Sequence, residues 1–268
     1  MPATEAVDAA QAAARLAACV RDAGALALSM FRTQIKNWTK DGDSPVSEAD
    51  IAVDHLLRTR LAGDGEDFGW LSEESVEDNR RLTARYVWIV DPIDGTRAFL
   101  AGLTDWTISA ALVENGRPIA ACLYAPATEE FFIAVAGRGA TRNGASIATT
   151  LGASLAQARI AGPRAFLQRL ATVAPLTVMP RVHSLALRLA RVAEGAIDVA
   201  IAGRHSHDWD LAAADLLVHE AGGELTPLGG GAVVYNRPVP RHGALVAAGK
   251  DRHATLIDFF RDERLASS

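Results

Sequence analysis

The sequence predicts an α+β first half followed by an α/β second half. Two helical patterns open the chain, three strand patterns follow one another in its middle, and strands alternate with helices after about residue 150. The chain has 268 residues, 49% of them hydrophobic, which is enough to bury a large core. Weak periodicity over residues 149–156 indicates a boundary, and we expect halves of residues 1–152 and 153–268.

Two helices are predicted in the N-terminal part of the chain. Residues 6–31 are rich in alanine, but Asp8 and Arg15 interrupt them, so the pattern is that of an amphipathic helix and not of a membrane span. Residues 47–61 form the second pattern, with Ser47 as the expected N-cap. We expect the two helices to pair.

Strand patterns fill the middle of the chain. Residues 86–90 are aromatic or β-branched and stop at Asp91-Pro92, which predicts a buried strand that ends before the proline. A meander of three strands follows, with Glu114-Asn115-Gly116 as the hairpin turn between the first two. These strands are expected at residues 107–113, 117–124 and 130–135.

The second half is predicted to alternate between helices and strands. The expected helices cover residues 184–193, 209–221 and 253–261, and the expected strands cover residues 196–201 and 245–248. Gly222-Gly223 should end the second of these helices, because glycine readily adopts the left-handed conformation that follows a helix.

The charge balance excludes several classes of partner. The formal net charge is −5, whereas nucleic-acid polymers and anionic membranes need a basic surface. A small anionic substrate is compatible, because divalent cations, backbone N–H groups and a few basic side chains can hold it locally. Cys19 and Cys122 lack the spacing of a disulfide framework or a zinc site, and a reducing cytoplasm is the expected compartment.

The segment Asp91-Pro92-Ile93-Asp94-Gly95-Thr96 is the most informative motif. An Asp-Pro or Asp-Gly pair alone is explained by ordinary turn chemistry. Here the proline bends the chain after a strand, so Asp91 and Asp94 can point to one place. Gly95-Thr96 come directly before a helix-like run over residues 97–100, whose free N–H groups suit a phosphate. The motif therefore indicates a combined metal and phosphate site.

Two further acidic positions extend this pattern. Glu73 follows an apolar strand end, and Asp210 lies in the first turn of a predicted helix, where N-capping alone would also explain it. Four carboxylates that meet in one cleft need counter-charge. The four expected here are Glu73, Asp91, Asp94 and Asp210. Ligands that are all oxygen favour Mg²⁺, with Mn²⁺ as a tolerated substitute.

Four blocks of sequence occur in a characteristic order. They are Ser44-Pro45-Val46-Ser47-Glu48-Ala49-Asp50, Leu71-Ser72-Glu73-Glu74, Trp88-Ile89-Val90-Asp91-Pro92-Ile93-Asp94-Gly95-Thr96, and Trp209-Asp210-Leu211-Ala212-Ala213 with Ala221-Gly222-Gly223. Together they resemble the inositol-monophosphatase-like, lithium-sensitive phosphatases over nearly the whole chain. The resemblance implies a layered αβαβα sandwich, Mg²⁺-dependent phosphomonoesterase activity, inhibition by Li⁺ and a homodimer.

The resemblance also implies a role for each matching residue. The metal ligands would be Glu73, Asp91, the Ile93 carbonyl, Asp94 and Asp210, and they would hold two or three Mg²⁺ ions. Asp50 and Thr96 would orient the attacking water, and Glu73 would count among the catalytic residues as well. The N–H groups of Gly95 and Thr96 would hold the phosphate. Most of these ligands belong to the first half of the chain, and Asp210 belongs to the second.

Several phosphorylated metabolites remain open as substrates. Inositol monophosphatases carry a ring-contacting glutamate where this chain has Gly203, which argues against an inositol phosphate. Arg188 stands where related 3'(2'),5'-bisphosphate nucleotidases carry a lysine, so Arg188 and Ser184 are the candidate substrate contacts. Adenosine 3',5'-bisphosphate is the leading substrate, although Arg97 departs from the lysine usual in that branch. Inositol, sugar and histidinol phosphates are the alternatives, and a solvated helix charge equally explains Arg188.

A non-catalytic protein that binds phosphorylated metabolites is the alternative from another class. The presence of Asp50, Thr96 and Asp210 favours catalysis, because binding alone needs neither a water-orienting hydroxyl nor a second metal. His205 and His207 lie close to the last block, where a packing role is the ordinary expectation for an isolated histidine.

Overall fold

The computed structural model describes residues 7–40, 44–62, 68–76 and 78–266. The helices are α1 Ala9–Met30, α2 Glu48–Leu61, α3 Thr96–Leu100, α4 Arg164–Leu170, α5 Leu185–Ala193, α6 Asp208–Glu220 and α7 Lys250–Ala266. The strands are β1 Asn37–Lys40, β2 Ser44–Ser47, β3 Gly69–Ser72, β4 Tyr86–Asp94, β5 Thr107–Glu114, β6 Arg117–Ala125, β7 Glu130–Val135, β8 Ala140–Arg142, β9 Ala145–Ser146, β10 Arg159–Ala161, β11 Thr177–Val178, β12 Val199–Ala202, β13 Ser206–His207, β14 Gly223–Pro227, β15 Arg241–His242 and β16 Leu245–Gly249.

The larger sheet has the strand order β3-β4-β5-β6-β7-β8-β9. Its first pair, β3 and β4, is parallel, and every later pair is antiparallel. One face carries Trp88 and Ile108 into a core that α1 and α2 cover, and the other face packs against α5 and α6. Because both faces are covered, all nine residues of β4 are buried.

The smaller sheet has the order β11-β10-β12-β16-β14. Ala200 and Ala247 on its inner face join the core beneath α5 and α6. Its outer face packs against α7 through Leu256 and Phe260. The layers therefore run from α1 and α2 through the larger sheet, α5 and α6, and the smaller sheet to α7, which confirms the predicted αβαβα sandwich.

Most of the predicted elements are present near their expected bounds. Both opening helices form, and the N-cap of α2 is Ser47 as predicted. The three strands of the meander are β5, β6 and β7. Between the first two, Asn115 and Gly116 have φ values of 48° and 79°, the left-handed conformations of a two-residue hairpin turn. The predicted strand over residues 196–201 begins later, at Val199.

The predicted end of the strand at residue 90 is wrong. β4 continues through Pro92 to Asp94, and its register with β5 shifts between Asp91 and Asp94. A bulge interrupts the ladder of N–H donors locally, and proline, which has no N–H, is tolerated at such a position. The strand can therefore pass through Pro92 and carry both aspartates.

The strands of the two sheets come from different parts of the chain, but one hydrophobic core contains residues of both parts. Strands of the larger sheet lie before residue 147 and those of the smaller sheet lie after residue 158. One core cluster nevertheless contains Leu123 and Ala200, from the two predicted halves, so the boundary at residue 152 stays a prediction. Within the described ranges, no helix combines the length and the apolar character that a membrane span requires.

Candidate active site

The end of β4 turns directly into α3 at Gly95. Gly95 has a φ of 95°, which L side chains rarely adopt. A Cβ atom there would lie 3.2 Å from the Asp105 carbonyl oxygen and 3.3 Å from the Ser184 backbone nitrogen. Glycine is therefore needed both for the backbone conformation and for the close approach of the segment before α5.

Three carboxylates meet at this turn. Oxygen atoms of Asp91, Asp94 and Asp210 lie within 4.8 Å of one another. The bulge in β4 brings the first two to the same place, and the start of α6 delivers the third. The predicted convergence is therefore present for these three residues, whereas Glu73, the fourth, is not in this 4.8 Å group and lines the cavity beside it.

The N-terminus of α6 fixes the carboxylate of Asp210. The backbone N–H of His207 donates to Asp210 Oδ2 over 2.7 Å. The His207 ring stacks on the Trp209 ring with centroids 4.6 Å apart. Asp210 thus caps the helix and also belongs to the carboxylate cluster. N-capping and membership of the cluster, the two explanations considered for Asp210, are therefore compatible.

Burial raises the pKa values of the carboxylates in this cluster. Burial, followed by the charge of Glu73, raises the pKa of Asp91 well above its usual range. In the same way, burial and then the charge of Asp94 raise the pKa of Asp210. Burial also raises the pKa of Asp94, although hydrogen bonds from Ser184 and the backbone at the start of α5 oppose the shift. Without counter-charge, these groups are costly to ionise.

Glu73 lies on a short segment that is held by hydrogen bonds. Asp54 accepts hydrogen bonds from the hydroxyl groups of Ser72 and Ser75, which flank Glu73. Lys40 forms an ion pair with Glu74 and donates to the Glu73 carbonyl oxygen over 3.2 Å. Burial, followed by the charge of Glu74, raises the pKa of Glu73 to about 7.

Asp50 and Thr96 form the predicted pair. The Thr96 hydroxyl lies 3.1 Å from Asp50 Oδ1 and 3.0 Å from the Ile93 carbonyl oxygen. The backbone N–H and the hydroxyl of Ser47 donate to Asp50 Oδ2 over 2.8 and 2.6 Å. Since both neighbours of the Thr96 hydroxyl are acceptors, its proton is directed into the protein and its lone pairs remain for a donor in the cavity.

These groups surround one cavity of about 320 Å³. Its lining residues are Pro45, Glu73, Asp91, Ile93, Asp94, Gly95, Thr96, Arg97, Arg181, His183 and Asp210. Arg181 and His183 were not anticipated from the sequence. Both lie within three residues before the N-cap of α5, and His183 is held there by Asp105, which accepts from its backbone N–H over 2.7 Å. Polar residues just before a predicted helix were the available indication.

The two expected substrate contacts lie outside this cavity. Ser184 is fully buried and donates to Asp94 Oδ2 over 2.6 Å, while its oxygen accepts from the Leu187 N–H. A substrate contact for Ser184 is therefore corrected to a positioning contact with Asp94. Arg188 lines a neighbouring cavity instead, and Arg181 borders both cavities.

Neither His205 nor His207 lines the carboxylate cavity. His207 is the N-cap of α6, and its Nδ1 lies 3.9 Å from Asp210 Oδ2. His205 lines a separate cavity with Arg204 and His242. The packing role expected for an isolated histidine agrees with the stacking of His207 on Trp209.

The donor set fits a hard divalent cation. All candidate ligands offer oxygen atoms, which Mg²⁺ and Ca²⁺ prefer. Asp91 Oδ1 is buried and has no hydrogen-bond partner among the described residues. A bound cation would offset the cost of ionising this cluster of buried carboxylates.

Comparison with known proteins agrees with this geometry. A family model described as the inositol monophosphatase family matches residues 8–264. The histidinol-phosphatase of Mycobacterium tuberculosis is 37% identical over 217 residues, covering 74% of this chain and 82% of that protein. The 3'(2'),5'-bisphosphate nucleotidase CysQ of Aggregatibacter actinomycetemcomitans is 28% identical, covering 74% and 77%.

The fold is also shared with a solved structure. The extragenic suppressor protein suhB of Bartonella henselae superposes with a TM-score of 0.82 at 26% identity, covering 92% of this chain and 97% of that one. This similarity agrees with the four motif blocks, the αβαβα layers and the carboxylate cluster. The chain belongs to the inositol monophosphatase family, whose members are phosphatases.

Proposed function

We propose that the protein is a Mg²⁺-dependent phosphomonoesterase that hydrolyses a small phosphorylated metabolite. The observation that carries this proposal is the convergence of Asp91, Asp94 and Asp210 within 4.8 Å beside the Asp50–Thr96 pair. The metal ligands would be Glu73, Asp91, the Ile93 carbonyl, Asp94 and Asp210. Bound Mg²⁺ would supply Lewis-acid stabilisation of the phosphoryl group and activation of water, and Mn²⁺ would substitute for it.

The protein's own groups would position the reactants. Asp50 holds the proton of the Thr96 hydroxyl, so the Thr96 oxygen can accept a hydrogen bond from the attacking water and orient it towards phosphorus. The N–H groups of Gly95 and Thr96, both on the cavity wall, would bind the phosphate oxygens. Ser184 keeps the Asp94 carboxylate in place.

Two substrates have specific support. A 3'(2'),5'-bisphosphate nucleotide remains the leading candidate, because Arg188 and Arg181 place basic groups beside the carboxylate cavity. Histidinol phosphate is favoured by the 37% identical relative from M. tuberculosis. Gly203 still argues against an inositol phosphate, because its hydrogen atom offers no contact to a ring hydroxyl.

A binding protein without activity is the alternative from another class. The hydrogen-bonded Asp50–Thr96 pair argues against it, since holding a phosphate does not require an oriented hydroxyl oxygen. Inhibition by Li⁺, a homodimer and a cytoplasmic location belong to the same proposal. The buried free thiols of Cys19 and Cys122 support a reducing compartment.

The test is phosphate release with Mg²⁺ from adenosine 3',5'-bisphosphate, histidinol phosphate, inositol 1-phosphate and fructose 1,6-bisphosphate. Asp94→Asn should lower kcat by about 100-fold or more. The fold should persist, because an amide oxygen can still accept from Ser184 and the Ala186 N–H. Asp258→Asn, on the exposed face of α7, is the matched control and should keep full activity. Turnover of none of the four substrates would refute the proposal.

A further inference from the structure

A separate cavity of about 850 Å³ lies between the start of β6, the C-terminal part of α6 and the edge strand β14. None of its described lining residues lines the carboxylate cavity. Asp215 faces this space from α6. It follows Asp210 by five positions, so the two carboxylates lie on different sides of the helix. We call this space the Asp215 cavity.

The carboxyl group of Asp215 has one oxygen without a partner. Its Oδ2 accepts from the Tyr235 hydroxyl over 2.9 Å, whereas in the described part of the chain Oδ1 accepts no hydrogen bond and neither oxygen forms an ion pair. Burial raises the pKa of Asp215 to about 6, although the hydrogen bond from Tyr235 opposes the shift. The side chain is still partly accessible, because it lines the cavity. At pH 7.5 it is an ionised carboxylate that lacks a cation.

Two other charged groups on the wall already have hydrogen-bond partners. The two oxygens of Glu220 accept from the backbone N–H groups of Gly137 and Gly139, each over 2.8 Å. Arg117 donates to the Val233 carbonyl oxygen over 3.0 Å. The unpartnered oxygen on α6 is therefore the group best placed to bind a ligand.

The charge of the wall is negative. Three carboxylates line the cavity: Asp215, Glu220 and Glu224. Against them stand the guanidinium of Arg117 and the exposed ring of His219. Glu224 lies 3.4 Å from the His253 ring, but burial lowers the pKa of His253, so this ring is neutral at pH 7.5 and does not cancel the charge. The balance favours a cation over an anion.

The remaining wall and the hydrogen bond to Tyr235 narrow the class of cation. Ile119, Leu225 and Val233 line the cavity, so an apolar group can pack there. Because Tyr235 already occupies Oδ2, one carboxylate oxygen is left. A guanidinium group donates best to both oxygens of a carboxylate, whereas an ammonium group is a point charge that one oxygen can accept.

We propose that the Asp215 cavity is a binding site for a small organic cation that carries an ammonium group on a compact apolar body. The ammonium group donates to Asp215 Oδ1, and the apolar body packs against Ile119 and Leu225. This site is distinct from the proposed active site, and the inference does not depend on the phosphatase function.

The test compares three probes that share one apolar body and differ in charge: 2-phenylethylamine, which is protonated at pH 7.5, neutral 2-phenylethanol and anionic phenylacetate. Calorimetric titrations are made in saturating Mg²⁺, which occupies the carboxylate cluster. The amine should bind with a Kd at least about tenfold lower than the alcohol, because its hydrogen bond to Asp215 is charge-assisted. Phenylacetate should bind most weakly.

Two variants assign the binding to this cavity. Asp215→Asn should remove the preference for the amine, and its amide oxygen can still accept from the Tyr235 hydroxyl. Ala232→Trp places a large side chain at an exposed position of the wall and should raise the Kd of amine and alcohol alike by about tenfold, with Asp215 intact. Asp258→Asn, on the exposed face of α7, should bind all three probes as wild type does.

Four results would overturn the proposal. The first is no binding of the amine at millimolar concentration, and the second is equal affinity for the amine and the alcohol. The third is an amine preference that survives in both Asp215→Asn and Ala232→Trp. The fourth is an amine Kd that rises when Mg²⁺ replaces EDTA, which would place the amine at the carboxylate cluster. None of these results bears on phosphate release, so the proposed function is tested separately.

Discussion

Asp91 offers the sharpest test of the carboxylate cluster. Its side chain is 1% exposed, its Oδ1 lacks a hydrogen-bond partner in the described part of the chain, and burial holds its pKa well above the usual range. Asp91→Asn removes the charge at nearly constant volume. Without metal, we expect the variant to be more stable by about 1 to 3 kcal/mol, because the folded state no longer bears the cost of protonating this buried carboxyl or of holding its charge beside Glu73 and Asp94. At about 2 to 4 °C per kcal/mol for a chain of this size, its melting temperature should rise by several degrees.

Mg²⁺ should stabilise wild type much more than Asp91→Asn. A ligand at 100 times its Kd stabilises the native state by about 2.7 kcal/mol, which corresponds to about 5 to 11 °C here. Wild type should gain this increase and Asp91→Asn should lose most of it, because one of the converging ligands is gone.

Differential scanning calorimetry at pH 7.5, in EDTA and in saturating Mg²⁺, measures both effects. Asp258→Asn, whose side chain is 69% exposed, controls for the loss of one carboxylate elsewhere. The reasoning fails if Asp91→Asn is destabilised in EDTA, or if it responds to Mg²⁺ as wild type does.

Three further predictions concern single groups. Thr96→Val should lower kcat by about 100-fold with little change in KM, because the water loses its oriented acceptor; steady-state kinetics measures this. Asp54→Ala should weaken Mg²⁺ binding by about 10- to 100-fold in a calorimetric titration, since the hydrogen bonds that hold Ser72 and Ser75 around Glu73 are lost. Burial raises the pKa of Asp215 from 3.8 to about 6, so the folded state binds a proton that the unfolded state has lost, and this group should lower wild-type stability by up to about 3 kcal/mol between pH 4 and pH 6. Asp215→Asn should remove that contribution from the pH dependence in urea unfolding, and its amide can still accept from the Tyr235 hydroxyl.

Each of these predictions has a contrary result. Full kcat in Thr96→Val would remove the hydroxyl from water orientation. Wild-type Mg²⁺ affinity in Asp54→Ala would mean that the Glu73 segment holds its place without Asp54. A change in stability between pH 4 and pH 6 that is the same in Asp215→Asn as in wild type would contradict the assigned shift of Asp215.

The carboxylate cluster could be predicted from sequence because its residues lie in short, recognisable motifs. Asp91 and Asp94 share one turn. Asp210 lies in the first turn of a helix, where the backbone N–H groups limit the orientations of its carboxylate. The exact path of β4 could not be read in the same way. Whether Pro92 ends a strand or sits in a bulge depends on the pairing with β5, which is a contact between distant segments.

Substrate contacts were harder to predict than the carboxylate cluster for a physical reason. Ser184 has the polarity of a contact residue, but the packing of α5 against the turn at Gly95 buries it completely. The neighbouring cavity that Arg188 lines joins residues from α4, the segment before α5, and α5 itself, so no short motif contains it. Such a site arises from the arrangement of elements, which local sequence patterns do not specify.

The burial of the carboxylate cluster has a thermodynamic consequence. Its carboxylates do not stabilise the free protein, because Asp91 and Asp210 are each buried beside other carboxylates. A bound divalent cation would offset this cost, so the stability given up in the free protein would be recovered on binding, which is the usual exchange between stability and function at a polar site. The burial that raises the pKa values of Asp91 and Asp210 is thus the same property that would make the cluster bind a cation.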